Sequence, residues 1–107
     1  DTNELNPIFV TEGGSVTLNP DTQIQTYNGI IWKFGKEKSP IVEIKRETKE
    51  IIMHDDVDGI FRDRLNVDHQ TGSLTITNIT TEHAGLYKLK ISGSRKTSSR
   101  RFMVCVA

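Results

Sequence analysis

The chain has 107 residues, a length that buries one core and not two, and 14 lysines and arginines balance 14 aspartates and glutamates to a formal net charge of zero. No global field therefore draws it to nucleic acid or to a membrane surface, and any electrostatic role has to be local. Its single cysteine, Cys105, excludes both an intrachain disulfide and a thiolate zinc cluster.

No run approaches the ~18 apolar residues of a membrane span. The polar start Asp1-Thr2-Asn3-Glu4 lacks the charged and apolar regions of a signal peptide, so the chain reads as a mature or excised piece. Pro7-Ile8-Phe9-Val10 reads as a short edge strand, because a proline at its start cannot donate a ladder hydrogen bond. Glu12-Gly13-Gly14 turns the chain, and Ser15 to Asn19 alternates Val16 and Leu18 against polar neighbours. Asp21 to Gly29 is a polar stretch. Ile30-Ile31-Trp32-Lys33-Phe34 then places Ile30, Trp32 and Phe34 on one side, where aromatic rings make the centre of a core.

Gly35 to Pro40 reads as a turn, Ile41 to Arg46 as a strand with Glu43 and Lys45 opposite Val42 and Ile44, and Ile51-Ile52-Met53 as a further short apolar piece. Beyond the loop Asp55 to Gly59, Arg64 to Asp68 and Ser73 to Ile79 form a hairpin around Gln70-Thr71-Gly72. Ala84-Gly85 then turns the chain into a strand where Tyr87, Leu89 and Ile91 alternate with Lys88, Lys90 and Ser92. A tyrosine two positions after glycine at the mouth of a strand is the pattern of a tyrosine corner. After the loop Gly93 to Ser98, the last strand alternates Phe102, Val104 and Val106 against Met103 and Cys105, and no stretch holds a helical period. Eight or nine short strands, a core tryptophan on the third and a tyrosine corner on the penultimate predict one two-sheet antiparallel sandwich over residues 1–107, all-β. Its predicted core is Ile30, Trp32, Phe34, Leu74, Ile76, Tyr87, Leu89, Phe102 and Val104.

Gly14-Ser15-Val16-Thr17-Leu18, Ile31-Trp32-Lys33-Phe34-Gly35, Gly72-Ser73-Leu74-Thr75-Ile76 and Ala84-Gly85-Leu86-Tyr87 together resemble the framework of an immunoglobulin-like variable-type domain. Within that class the order is similar to the membrane-distal domain of the SLAM family and related lymphocyte adhesion receptors, which commonly lacks the inter-sheet disulfide. The resemblance puts the two absent cysteines at Pro20 and Leu89. Loss of such a bond typically costs ~2–5 kcal/mol, which packing of Trp32 against Leu18 and Leu89 must offset. It also implies an acid at the position of His83, paired with an arginine where Arg64 stands; Glu82 and Asp63 are the acids placed to take over that pairing.

Other chemistry finds little footing. Asp56-x-Asp58-Gly59 imitates part of a calcium loop, but Leu65 occupies the position of the closing glutamate and the flanks read as strand, so the cluster reads as a solvated acidic loop. His54, His69 and His83 fall in or beside three turns without the spacing of a zinc site and read as ordinary exposed histidines. No serine sits on a nucleophile elbow, so the chain is read as no enzyme, with no metal and no cofactor. From Leu86 onward there is no acid, while Lys88, Lys90, Arg95, Lys96, Arg100 and Arg101 are basic. This basic C-terminal hairpin supports an alternative function as an anionic-glycan-binding extracellular domain. Without interleaved aromatic residues for base stacking, nucleic acid is not expected as a partner.

The main expectation is a cell-surface recognition and adhesion module. Alternation that sends Trp32, Ile44, Leu89 and Phe102 inward sends Ile31, Lys33, Glu43, Lys45, Lys88, Lys90, Arg101 and Met103 to an outer face. The resemblance implies that this face binds the immunoglobulin-like domain of the same or a related receptor, homophilic or heterophilic. In a weak two-fold homodimer, Glu37, Glu43 and Glu47 would meet Lys88, Lys90 and Arg101 of the other copy. Asn78-Ile79-Thr80 is an N-glycosylation acceptor, which places Asn78 in an oxidising, extracellular pathway. The expected parent is membrane-anchored through a segment absent from this chain, with Cys105 left as a free or intermolecular thiol.

Overall fold

Period-two alternation becomes nine strands in the computed structural model, which describes residues 7–21, 27–35, 39–54 and 59–107. In chain order these are β1 (Pro7–Val10), β2 (Val16–Leu18), β3 (Tyr27–Phe34), β4 (Ser39–Lys45), β5 (Glu50–Met53), β6 (Leu65–Val67), β7 (Leu74–Ile76), β8 (Gly85–Gly93) and β9 (Thr97–Val106). They form a six-stranded sheet ordered β1-β9-β8-β3-β4-β5 and a three-stranded sheet ordered β2-β7-β6. The predicted acidic calcium-like loop at Asp56 and Asp58 lies outside the described residues.

Four expectations are corrected by pairing between distant segments. The sandwich is not wholly antiparallel, because β1 runs parallel to β9, with Ile8 opposite Val104. Strand β3 begins at Tyr27 inside the expected polar stretch: Tyr27 is buried, and its hydroxyl donates to the His69 carbonyl at 2.8 Å. Strand β4 likewise begins at Ser39, and the register against β3 shifts between Trp32 and Lys33. That bulge lets consecutive residues Ile41 and Val42 both be buried, which strict alternation forbids. Strand β9 starts at Thr97 despite its polar sequence, since Thr97 pairs with Ser92 of β8. One turn of 3-10 helix, Thr81–His83, precedes β8.

Between the sheets, Trp32, Tyr87, Phe61, Leu18, Leu74, Ile76 and Leu89 are fully buried. Of the predicted core, Phe34 and Phe102 sit at its margin and are only partly buried. Phe61 was not foreseen, because it lies in an aperiodic turn; its ring meets Phe34 edge-on at 5.3 Å between centroids. Pro20 and Leu89, where the resemblance puts the missing disulfide, are both buried. Trp32 ties the sheets in its stead, as its indole Nε1 donates to the Gly72 carbonyl at 2.9 Å in the turn between β6 and β7. A buried indole N–H needs such an acceptor, since an unmet donor costs ~1–3 kcal/mol.

Candidate functional site

Each sheet turns one face to solvent, and the two faces differ in kind. On the small sheet, Thr17, Thr75 and Asn66 lie side by side across three strands. The hydroxyls of Thr17 and Thr75 bond to each other at 2.9 Å, and this central row carries no charge. Asn78, which follows β7, is exposed, with a left-handed φ of 49° that asparagine tolerates better than most residues.

The six-stranded sheet carries the charge. Registry places Arg101 of β9 opposite Lys88 of β8, and Lys88 opposite Lys33 of β3, a row of three cations across three strands. The next row runs Ser99, Lys90, Ile31, Glu43 and Ile52 from β9 to β5. Lys45 follows, opposite Gly29 and Glu50. Leu86 and Met103 pair at the edge of the cationic row and, like Ile31 and Ile52, are half-buried apolar residues on the outer side. Lys33, Lys88, Lys90, Ser99 and Arg101 border a depression of ≈ 300 Å³. Among the described residues, no carboxylate forms an ion pair with any of these cations.

Ile31, Lys33, Glu43, Lys45, Lys88, Lys90, Arg101 and Met103 are therefore brought to one face, as the alternation predicts. Glu47 is not on the sheet but exposed in the turn between β4 and β5, and Glu37 lies outside the described residues. His54 was missed as a member. It follows β5, and its Nε2 lies 2.7 Å from Glu43 Oε2, so Glu43 is already engaged within the domain. A histidine one residue beyond a strand opposite an outward glutamate is a weak signal, and only the β4–β5 register makes it a contact.

Nor is His83 an exposed histidine: it is 1% exposed, beneath the tyrosine corner. Its Nδ1 accepts from the Thr80 backbone N–H at 2.8 Å, and its Nε2 lies 2.5 Å from the Ile60 carbonyl. With Nδ1 accepting, Nε2 carries the proton and donates, a neutral tautomer with both nitrogens used. Tyr87 donates its hydroxyl to the His83 carbonyl at 2.6 Å, which completes the corner, and burial pushes that phenol's pKa up. Neither Glu82 nor Asp63 pairs with Arg64; its guanidinium donates instead to the Asn78 carbonyl. The imidazole thus bonds the backbone directly, without the acid–arginine pair the resemblance implies. Cys105 is a free, half-buried thiol on β9.

No group of three metal-ligating side chains occurs among the described residues, and no helix there is long and apolar enough to cross a membrane. The two-sheet arrangement with its tyrosine corner and core tryptophan agrees with the family comparison. The immunoglobulin V-set domain model matches residues 4–104, and the chain belongs to that family. No curated protein matches it by sequence. Among solved structures, the CD2-binding domain of CD58 superposes with a TM-score of 0.72 at 23% identity, covering 96% of this chain and 54% of that one. CD84 of the SLAM family superposes at 0.77 with 18% identity, covering 96% and 97%. The extracellular portion of mouse CD200RLa does so at 0.77 with 12% identity, covering 94% and 55%. The chain therefore spans about half of the CD58 and CD200RLa structures and nearly all of the CD84 one. These likenesses define the fold, with lymphocyte receptors among its neighbours.

Proposed function

We propose that this V-set domain is an extracellular recognition and adhesion module of an immune-cell type of surface receptor. It binds another immunoglobulin-like domain through the outer face of its six-stranded sheet. The observation that supports this best is the row Arg101, Lys88 and Lys33. Like charges directly opposite each other across strands destabilise a sheet, so the row is a cost in the free domain that an acidic partner surface removes. Half-buried Ile31, Ile52, Leu86 and Met103 beside it supply apolar contact of the kind found at interface centres.

The same geometry favours a heterophilic partner with an acidic face. Homophilic pairing asks the β4–β5 half to be acidic, yet Glu43 is held by His54, and Glu47 stands in a stretch where Lys45, Arg46 and Lys49 outnumber it and Glu50. The CD2-binding domain of CD58 is one neighbour of this fold with a different protein as its partner. In this reading Asn78 bears a glycan beside the neutral sheet, leaving the charged face clear, and the parent protein is held at the cell surface.

The test is staining of leukocytes with fluorescent tetramers of the domain, comparing wild type with Lys88→Glu, Arg101→Glu and, on the neutral sheet, Thr17→Glu. Staining lost with either charge reversal on the six-stranded sheet and kept with Thr17→Glu supports the assignment. The reverse pattern would overturn it. Sedimentation at high concentration, wild type against Glu43→Lys and Lys88→Glu singly and together, reads the homophilic branch: self-association weakened singly and regained in the double variant establishes it, and a monomer throughout removes it.

A further inference from the structure

A second basic site lies at one end of the sandwich, apart from the sheet face. Tyr27 pairs with Gly93, and Gly29 with Lys45, so the β4–β5 turn (46–49) and the β8–β9 turn (94–96) stand at the same end. The bond from the Tyr27 hydroxyl to the His69 carbonyl brings the β6–β7 turn there too. Between these turns is a cleft of ≈ 460 Å³, walled by Lys45, Arg46, Lys49 and His69 and floored by Ile44 and Tyr27. Gln70 adds an amide at the rim.

The local backbone explains why the cations converge. Lys49 N–H donates to the Arg46 carbonyl at 3.2 Å, a tight turn in which Lys49 takes a left-handed φ of 57°. Arg46 is held close to the floor, with Nη1 3.5 Å from the Tyr27 carbonyl. The nearby acids are occupied or turned aside. Asp68 Oδ1 accepts from the Gln70 N–H at 2.8 Å, Glu50 is opposite Lys45 in the sheet, and neither they nor Glu47 line the cleft. No ion pair involves any of the cleft's cations among the described residues. Arg95 and Lys96, exposed on the neighbouring β8–β9 turn, extend the positive surface past the rim.

We infer that this cleft is a binding site for a sulfated polysaccharide, with one sulfated sugar unit seated between Arg46, Lys49 and His69 and the chain continuing over Arg95 and Lys96. The volume falls within the range of small-ligand pockets, ~300–1,000 Å³, and suits a sugar ring rather than a bare ion. An open cleft fringed by lysines, with donors and no acceptor carboxylate among the described residues, is matched to an oxyanion carried on a bulky polar scaffold. This divides the basic C-terminal residues between two roles: Arg95 and Lys96 serve the end, whereas Lys88 and Arg101 belong to the protein-binding face.

The test uses the 107-residue domain and a short heparin-derived oligosaccharide, followed by amide chemical shifts and calorimetry. Shifts should centre on Tyr27, Arg46 to Lys49, His69 and Gln70. The double variant Arg46→Gln/Lys49→Asn, in which asparagine keeps the left-handed turn, should weaken binding about tenfold and flatten its salt dependence. Lys88→Gln/Arg101→Gln should stay within about twofold of wild type. Unchanged binding by the cleft variant would overturn the assignment, as would shifts confined to the sheet face. Equal affinity for fully desulfated oligosaccharide, or for single-stranded DNA of equal charge, would also overturn it.

Discussion

The two ends of the sandwich use the same small device in opposite settings. At each, a tyrosine hydroxyl donates to the carbonyl of a histidine: Tyr87 to His83 at 2.6 Å, and Tyr27 to His69 at 2.8 Å. Around Tyr87 the neighbours are rings. Phe34 is 4.6 Å away between centroids, Phe61 is 6.3 Å away, and the buried His83 imidazole has both nitrogens bonded to backbone. Around Tyr27 the neighbours are Arg46, Lys45 and Lys49, open to water. Burial raises the pKa of both phenols, but at Tyr27 the Arg46 charge pulls the other way. At the closed end each buried polar side chain among the described residues has a partner, and those bonds hold the fold together, whereas the other end gathers cations without an ion pair among the described residues.

Breaking the link between the ends should have the largest effect. Trp32 packs in the closed core, 5.5 Å from the Phe102 centroid, and reaches the Gly72 carbonyl in the open end's turn. Trp32→Ala should destabilise the domain by ~3–5 kcal/mol, measured by urea unfolding. A neutral result would refute its role as the replacement for the disulfide. His83→Ala comes next, at ~2–4 kcal/mol, because it strands the Thr80 N–H and the Ile60 carbonyl as well as opening a cavity against Phe61.

The tyrosines sharpen the comparison directly. Tyr87→Phe should cost ~1–2 kcal/mol at neutral pH and Tyr27→Phe less than ~1 kcal/mol, since only the first leaves a carbonyl without its partner in a dry site. Their alkaline behaviour separates them further. Tyr87 has a folded pKa raised above the unfolded value of ~10, so its contribution is fully present below pH ~10 and is lost as pH rises above it, while the unfolded chain ionises and the native one stays protonated. The slope reaches about 1.4 kcal/mol per pH unit for that one group. Tyr87→Phe should remove this slope from a stability–pH series, and Tyr27→Phe should change it much less. Equal changes from the two variants would erase the distinction between the ends.

Much of the charged sheet face was legible because a strand's side chains alternate whatever surrounds it. Lys33, Lys88 and Arg101 could be assigned to one side from spacing alone. That they form a contiguous row required the registers of β3, β8 and β9, which no local pattern carries. His54 escaped for the same reason, since its contact with Glu43 spans 11 residues and depends on how β5 lies against β4. The resemblance to lymphocyte adhesion domains anticipated the fold and the absent disulfide, but not what His83 does, because the acid–arginine pair it implied is replaced here by backbone bonds.

The order of apolar and polar residues by itself determined a sandwich of eight or nine short strands with Trp32 and Tyr87 inside and a charged outer sheet, because burial of alternate residues is the main free-energy gain available to such a chain. Tertiary structure alone decided that β1 joins β9 in parallel, that Tyr27 and Phe61 are core, and that the basic residues divide between a sheet face and an end cleft. Those outcomes depend on loop closures bringing together segments some 20 to 40 residues apart, such as Tyr27 with His69 and Ile60 with His83. Contacts at that separation are set by how whole sheets pack, and a pattern read over a few neighbouring residues contains no term for them.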